Sequence, residues 1–190
     1  MKTLIVVIVA TFGLGVCLVS CGPKKEDSKE VAEEQNDQKF DGTKIEEDTE
    51  FAVNISDAGM LEVKLGELAQ TNGYASEVKS FGKMMIEDHS KAGGELKTAA
   101  SAKNISLPAE LSAKSQDTYN DISKKTGKDF DKAYIDAQVD GHKDVLDMLK
   151  KEAADGKDAD LKSWATGKVS IIEHHLEMAK QTQGVVNKMK

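Results

Sequence analysis

Residues 78–100, VKSFGKMMIEDHSKAGGELKTAA, decide the fold. Val78, Phe81, Met85, Ala92, Leu96 and Ala99 recur three or four apart, the spacing of a helix that buries one face. His89 interrupts the stripe, four after Met85 and three before Ala92, so an imidazole stands where an aliphatic side chain is expected. Three further segments repeat the pattern. Residues 48–71 set Phe51, Ile55, Ala58, Leu65 and Ala69 on one side, with Glu62 in its middle. Residues 129–154 turn Phe130, Tyr134, Ala137, Val145, Met148 and Leu149 inward, with His142 towards one flank. A last helix, capped by Asp158 or Asp160, carries Leu161, Trp164, Ala165, Ile172, Leu176 and Ala179 together with His175, while His174 points away. No alternating β pattern occurs, so the expected class is all-α.

Punctuation between these segments fixes their order. Asn72-Gly73 is a stop signal, and Ser76 can open the second helix, which runs to about Lys103. Gly93-Gly94 lower helicity there, and their small size would let another backbone approach. Asp155-Gly156 ends the third helix. Between the second and third lie residues 104–127, where Leu107-Pro108 suits a helix start and 109–125 read as a short helix ended by Thr126-Gly127. That connection is longer than a tight bundle loop needs. Run along the bundle as a crossover, it leaves the second and third helices parallel, as in a ferritin-like four-helix bundle.

The N-terminus reads as a targeting segment. Met1-Lys2-Thr3 is a short basic start, Leu4 to Val16 an apolar run, and Leu18-Val19-Ser20-Cys21 follows at once. This resembles a bacterial lipoprotein signal over 1–20, which implies cleavage before Cys21 and a lipid on its sulfur. An ordinary secretory signal or an uncleaved anchor helix is the alternative, and the run is short for a bilayer span of roughly 20 residues. Several acyl chains on Cys21 would make a stable membrane anchor. Cleavage removes Cys17 and leaves Cys21 as the one cysteine, so neither a disulfide nor a thiolate metal site is available. Residues 21–47 are charged, with Val31, Phe40 and Ile45 isolated, and read as a disordered tether holding the domain of 48–190 on the order of 30 Å from the membrane. The residue after Cys21 is glycine, not aspartate, which in the proteobacterial lipoproteins it resembles implies the outer membrane; the basic-then-acidic start also resembles a surface-export tag. The formal charge of −7 and the absence of arginine argue against nucleic acid as a partner.

Together, 51–97 and 129–180 resemble a bacterial family of exported proteins, labelled outer membrane proteins and built on a ferritin-like domain of unknown function, family 4142. The residues that carry the likeness are Gly59-Met60-Leu61-Glu62 with Leu65-Gly66, Met85 with Asp88-His89, Tyr134 with His142, and His175-Leu176. The resemblance implies the fold; it implies little about mechanism.

Four polar side chains on inner faces raise the question of a metal. A carboxylate inside an apolar face costs several kcal/mol unless paired, protonated or bound to a cation. Glu62 therefore needs a partner, and His89, His142 and His175 each arrive on a different helix. If the crossover is present, all four lie within roughly 10 Å along the bundle at 1.5 Å per residue. Met85 and Met178, four before His89 and three after His175, could add thioethers: His with Met favours copper(I), and His with Glu suits zinc, iron or copper(II). The ferritin-type motif, Glu and His three apart, is missing. Instead an acid precedes each histidine by two (Glu87 and His89, Asp140 and His142, Glu173 and His175), about 200° around the helix, so no such pair chelates one ion and a ferroxidase is disfavoured. The alternative is a structural polar cluster in an envelope interaction or stress module, with the methionines filling space.

Overall fold

The computed structural model describes residues 26–189. The signal segment and Cys21 lie outside them. Among the described residues six helices follow one another: α1 (Ser28–Phe40), α2 (Glu46–Asn72), α3 (Ser76–Ala102), α4 (Ala113–Ser123), α5 (Gly127–Asp155) and α6 (Ala159–Val186). Among the described residues, no helix is long and apolar enough to cross a membrane.

Polar clasps at the two ends establish how the long helices run. At one end Gly73, just after α2, lies beside Gly127 at the start of α5. There the buried Asp131 of α5 accepts from the backbone N–H of Tyr74 at 2.8 Å and of Ala75 at 2.7 Å, satisfying donors at the α3 entry. At the other end Asp48, in the first turn of α2, accepts from the N–H groups of Lys157 and Asp158 in the α5–α6 turn. Lys103, which closes α3, pairs there with Asp158 and Asp160, each at 2.9 Å. α3 and α5 therefore start at the same end and run parallel, α2 and α6 opposing them. This is the crossover connectivity of a ferritin-like bundle.

The crossover is bonded to the bundle. Asp57 of α2, buried, accepts from Ser112 N at 2.8 Å, Ser112 Oγ at 2.7 Å and Ser115 Oγ at 2.7 Å. The short helix starts at Ala113 instead of Ala109, because Ser112 supplies the cap by accepting from Ser115 N, while Ala109 N and Glu110 N are committed to Ser28 Oγ.

The tether expected over 21–47 is corrected for much of its length. Asp27 caps α1 by accepting from Lys29 N at 2.8 Å, and α1 lies on α2 and the crossover. Asn36, 2% exposed, donates to Ser106 O and accepts from Ser106 N, and Lys39 donates to Asn104 O. Hydrogen bonds do the docking that large apolar side chains usually do, so composition hid it. The close approach expected at Gly93-Gly94 lies elsewhere: a Cβ on Gly66 would come within 2.7 Å of Gly82 O, whereas one on Gly93 or Gly94 meets nothing within 4 Å. α2 and α3 thus touch backbone to backbone at Gly66 and Gly82.

The core divides in two. One apolar cluster holds Leu65, Phe81, Met85, Phe130, Tyr134, Val139 and Leu176; the other holds Phe51, Ile55, Leu96, Val145, Leu149, Leu161 and Ile172. On each of α2, α3, α5 and α6 a buried polar residue falls between the positions given to the two clusters: Glu62, His89, His142 and His175.

Candidate metal centre

α3, α5 and α6 each deliver one histidine to this layer because its helix has turned the adjacent apolar positions inward. His89 is 8% exposed, His142 1% and His175 1%. Their ring centroids form a nearly equilateral triangle: 5.6 Å from His89 to His142, 5.5 Å from His89 to His175 and 5.6 Å from His142 to His175. One ring nitrogen from each lies within 4.8 Å of the other two.

Hydrogen bonding selects the tautomers. His142 Nδ1 lies 2.8 Å from Gln138 O, one turn back on α5; a carbonyl accepts, so Nδ1 carries the proton and Nε2 keeps its lone pair. His175 Nε2 lies 2.9 Å from Asp88 Oδ2 and donates to that carboxylate, leaving Nδ1 bare. His89 Nε2, His142 Nε2 and His175 Nδ1 are all buried without a partner among the described residues. Burial, then the neighbouring His142 and His175, holds the His89 pKa down to about 3. His175 is lowered too, chiefly by burial, against the opposing pull of Asp88. Neutral His89 and His175 rings at pH 7 are what a metal ion requires of imidazole ligands.

Three nitrogens no more than 4.8 Å apart lie within about 2.8 Å of a common centre, against ~2.0–2.1 Å for a zinc–imidazole bond, so an inward shift of about 0.7 Å each would close the site. Small side-chain rotations cover that distance. Asp88 behind His175 and the Gln138 carbonyl behind His142 supply the outer partners that metal-bound histidines normally have.

Glu62 stands differently from the expectation. Its Oε1 is 4.0 Å from His142 Nδ1, the nitrogen already given to Gln138, and the carboxylate is not one of the converging donors. It sits behind His142, beside Gln138 and Tyr134, in space that exists because α5 has glycine at 141: a Cβ there would lie 3.2 Å from Glu62 Oε1. Burial pushes the Glu62 carboxyl up, against the pulls of His142 and Gln138. Tyr134 is raised as well, by burial and then by Glu62. Met85 and Met178 pack in the apolar cluster with Phe81 and Tyr134, and His174 is exposed. Asp88 was not among the expected site residues. Its signal was faint: it adjoins His89 in sequence, one residue further round α3, where α6 passes.

His89 and His175 also line a cavity of about 800 Å³. Two of the three rings thus border a space that can admit a further ligand, while the third, His142, has Glu62 behind it.

The sequence profile of one family, Domain of unknown function (DUF4142), matches residues 31–182. The chain belongs to this family. No curated protein and no solved structure matches it. In this member of DUF4142 the matched span takes in Glu62, Asp88 and all three clustered histidines.

Proposed function

We propose that this protein binds a transition-metal ion of the zinc or copper type through His89, His142 and His175, and does so in the bacterial cell envelope, held to the membrane through lipid on Cys21. The metal reading rests on one observation above all: His89, His142 and His175 each keep a buried ring nitrogen without a partner among the described residues, and a ring nitrogen of each comes within 4.8 Å of the other two rings. Leaving each unpaired costs about 1–3 kcal/mol, and one ion relieves all three. Three imidazoles without thiolate suit zinc or copper over magnesium or calcium, and a three-protein-ligand set beside a cavity leaves a coordination position for a further ligand. The envelope part rests on the lipoprotein-like start of the sequence.

A second reading, a structural polar core in an interaction module, is favoured by the placement of Glu62 outside the donor set. Elemental analysis separates the two. Untagged protein dialysed against zinc or copper is expected to retain one equivalent, His142→Ala to lose it, and Glu62→Ala to keep it. Equal metal in wild type and His142→Ala removes the site.

A further inference from the structure

The cavity beside the triad has a chemistry of its own. Its walls are mainly apolar, from Leu96, Val145, Leu149, Trp164 and Ile172, and its roughly 800 Å³ is the size that holds one small organic ligand. Cations line it in excess: Lys64, Lys91, Lys97 and Lys168 against Glu67 and Asp88, in a chain whose formal charge is −7. Asp88 is engaged by His175, and Lys168, over the Trp164 ring at 5.7 Å, is paired with Glu95, which leaves Lys64, Lys91 and Lys97 as the cations that set the sign of the wall.

We propose that this cavity binds an apolar monocarboxylate, a single-chain aliphatic acid, with its carboxylate on the coordination position that the three histidines leave open and its chain against Leu96, Leu149 and Ile172. The site rests on the metal reading above. An anionic head is selected by the metal and by Lys64, Lys91 and Lys97, and an apolar body by the walls. Space for the chain exists because Gly59 of α2 and Gly93 of α3 line the cavity, where a Cβ on either would meet nothing within 4 Å.

The chain contains one tryptophan, Trp164, so intrinsic fluorescence reports on occupancy with or without metal. Wild-type protein, metal-free and zinc-loaded, is titrated with decanoate below its critical micelle concentration, with decanol below its solubility limit, and with acetate. Decanoate is expected to shift the emission and to bind the zinc form at least tenfold more tightly than the metal-free form, decanol and acetate at least tenfold more weakly than decanoate. Gly59→Phe fills the cavity from a position with no backbone clash and is expected to hold zinc but lose the decanoate response. No emission change in zinc-loaded protein, equal affinity for decanol and decanoate, or an unchanged response in Gly59→Phe overturns the ligand and leaves the metal intact. Failure of wild type to hold zinc on the same samples overturns the metal reading and the metal-bound carboxylate with it.

Discussion

Acidifying the metal-free protein should expose the cost of keeping an unprotonated imidazole inside the bundle. His89 is held down to about 3 by burial and by His142 and His175, whereas in the unfolded chain it titrates near its ordinary 6.5. Below 6.5 the unfolded chain takes up a proton that the native protein refuses until about pH 3. The stability tied to neutral His89 is therefore fully present above 6.5 and is lost as pH falls towards 3. At pH 4 the difference is about 2.5 units, or about 3 kcal/mol at 1.36 kcal/mol per unit. Glu62 works the other way: its raised carboxyl holds a proton in the native state that the unfolded chain regains only near 4.5, so its contribution grows as pH falls to that value and is constant below it. Comparison with His89→Leu isolates the histidine, since the variant retains Glu62 and His175. Urea unfolding at pH 7 and pH 4 is expected to show wild type losing about 3 kcal/mol more than His89→Leu. Equal losses would mean that His89 is not held neutral by burial, and the account of the triad would fall.

Two further outcomes test the frame around the site. Gly66→Ala drives a methyl against Gly82 O and is expected to cost about 1–3 kcal/mol in chemical denaturation, whereas Gly93→Ala meets nothing and should gain up to about 1 kcal/mol from helix propensity; equal effects would refute the backbone contact. Glu152 is raised to about 7 by burial and by Asp48, so its stabilising, protonated form is fully present below 4.5 and is lost as pH rises through 7. Glu152→Gln removes that loss, and its melting temperature should exceed that of wild type at pH 8 but not at pH 4, by the equivalent of about 3 kcal/mol at 1.36 kcal/mol per unit.

The four long helices were legible because each buries a face at helical spacing, and the crossover because residues 104–127 were too many for a turn. The histidines stood out for the same reason: an imidazole in an aliphatic stripe is visible without coordinates. What surrounds them was not. Asp88 reaches His175 only because α6 passes that flank of α3, and Glu62 lies behind His142 because Gly141 leaves room there, both consequences of packing between helices. Sequence spacing could put Met85 and Met178 near their histidines but could not say that both fill the apolar cluster. α1 escaped notice because its face is nearly without large apolar residues and docks through Asn36, Lys39 and the Asp27 and Ser28 side chains.

The coordination sphere itself tests the central claim most directly. X-ray absorption fine structure of the zinc-loaded, untagged protein is predicted to show three imidazole nitrogens at about 2.0–2.1 Å and one further light atom. Sulfur at about 2.3 Å, or a shell of oxygens without imidazole scattering, would contradict it.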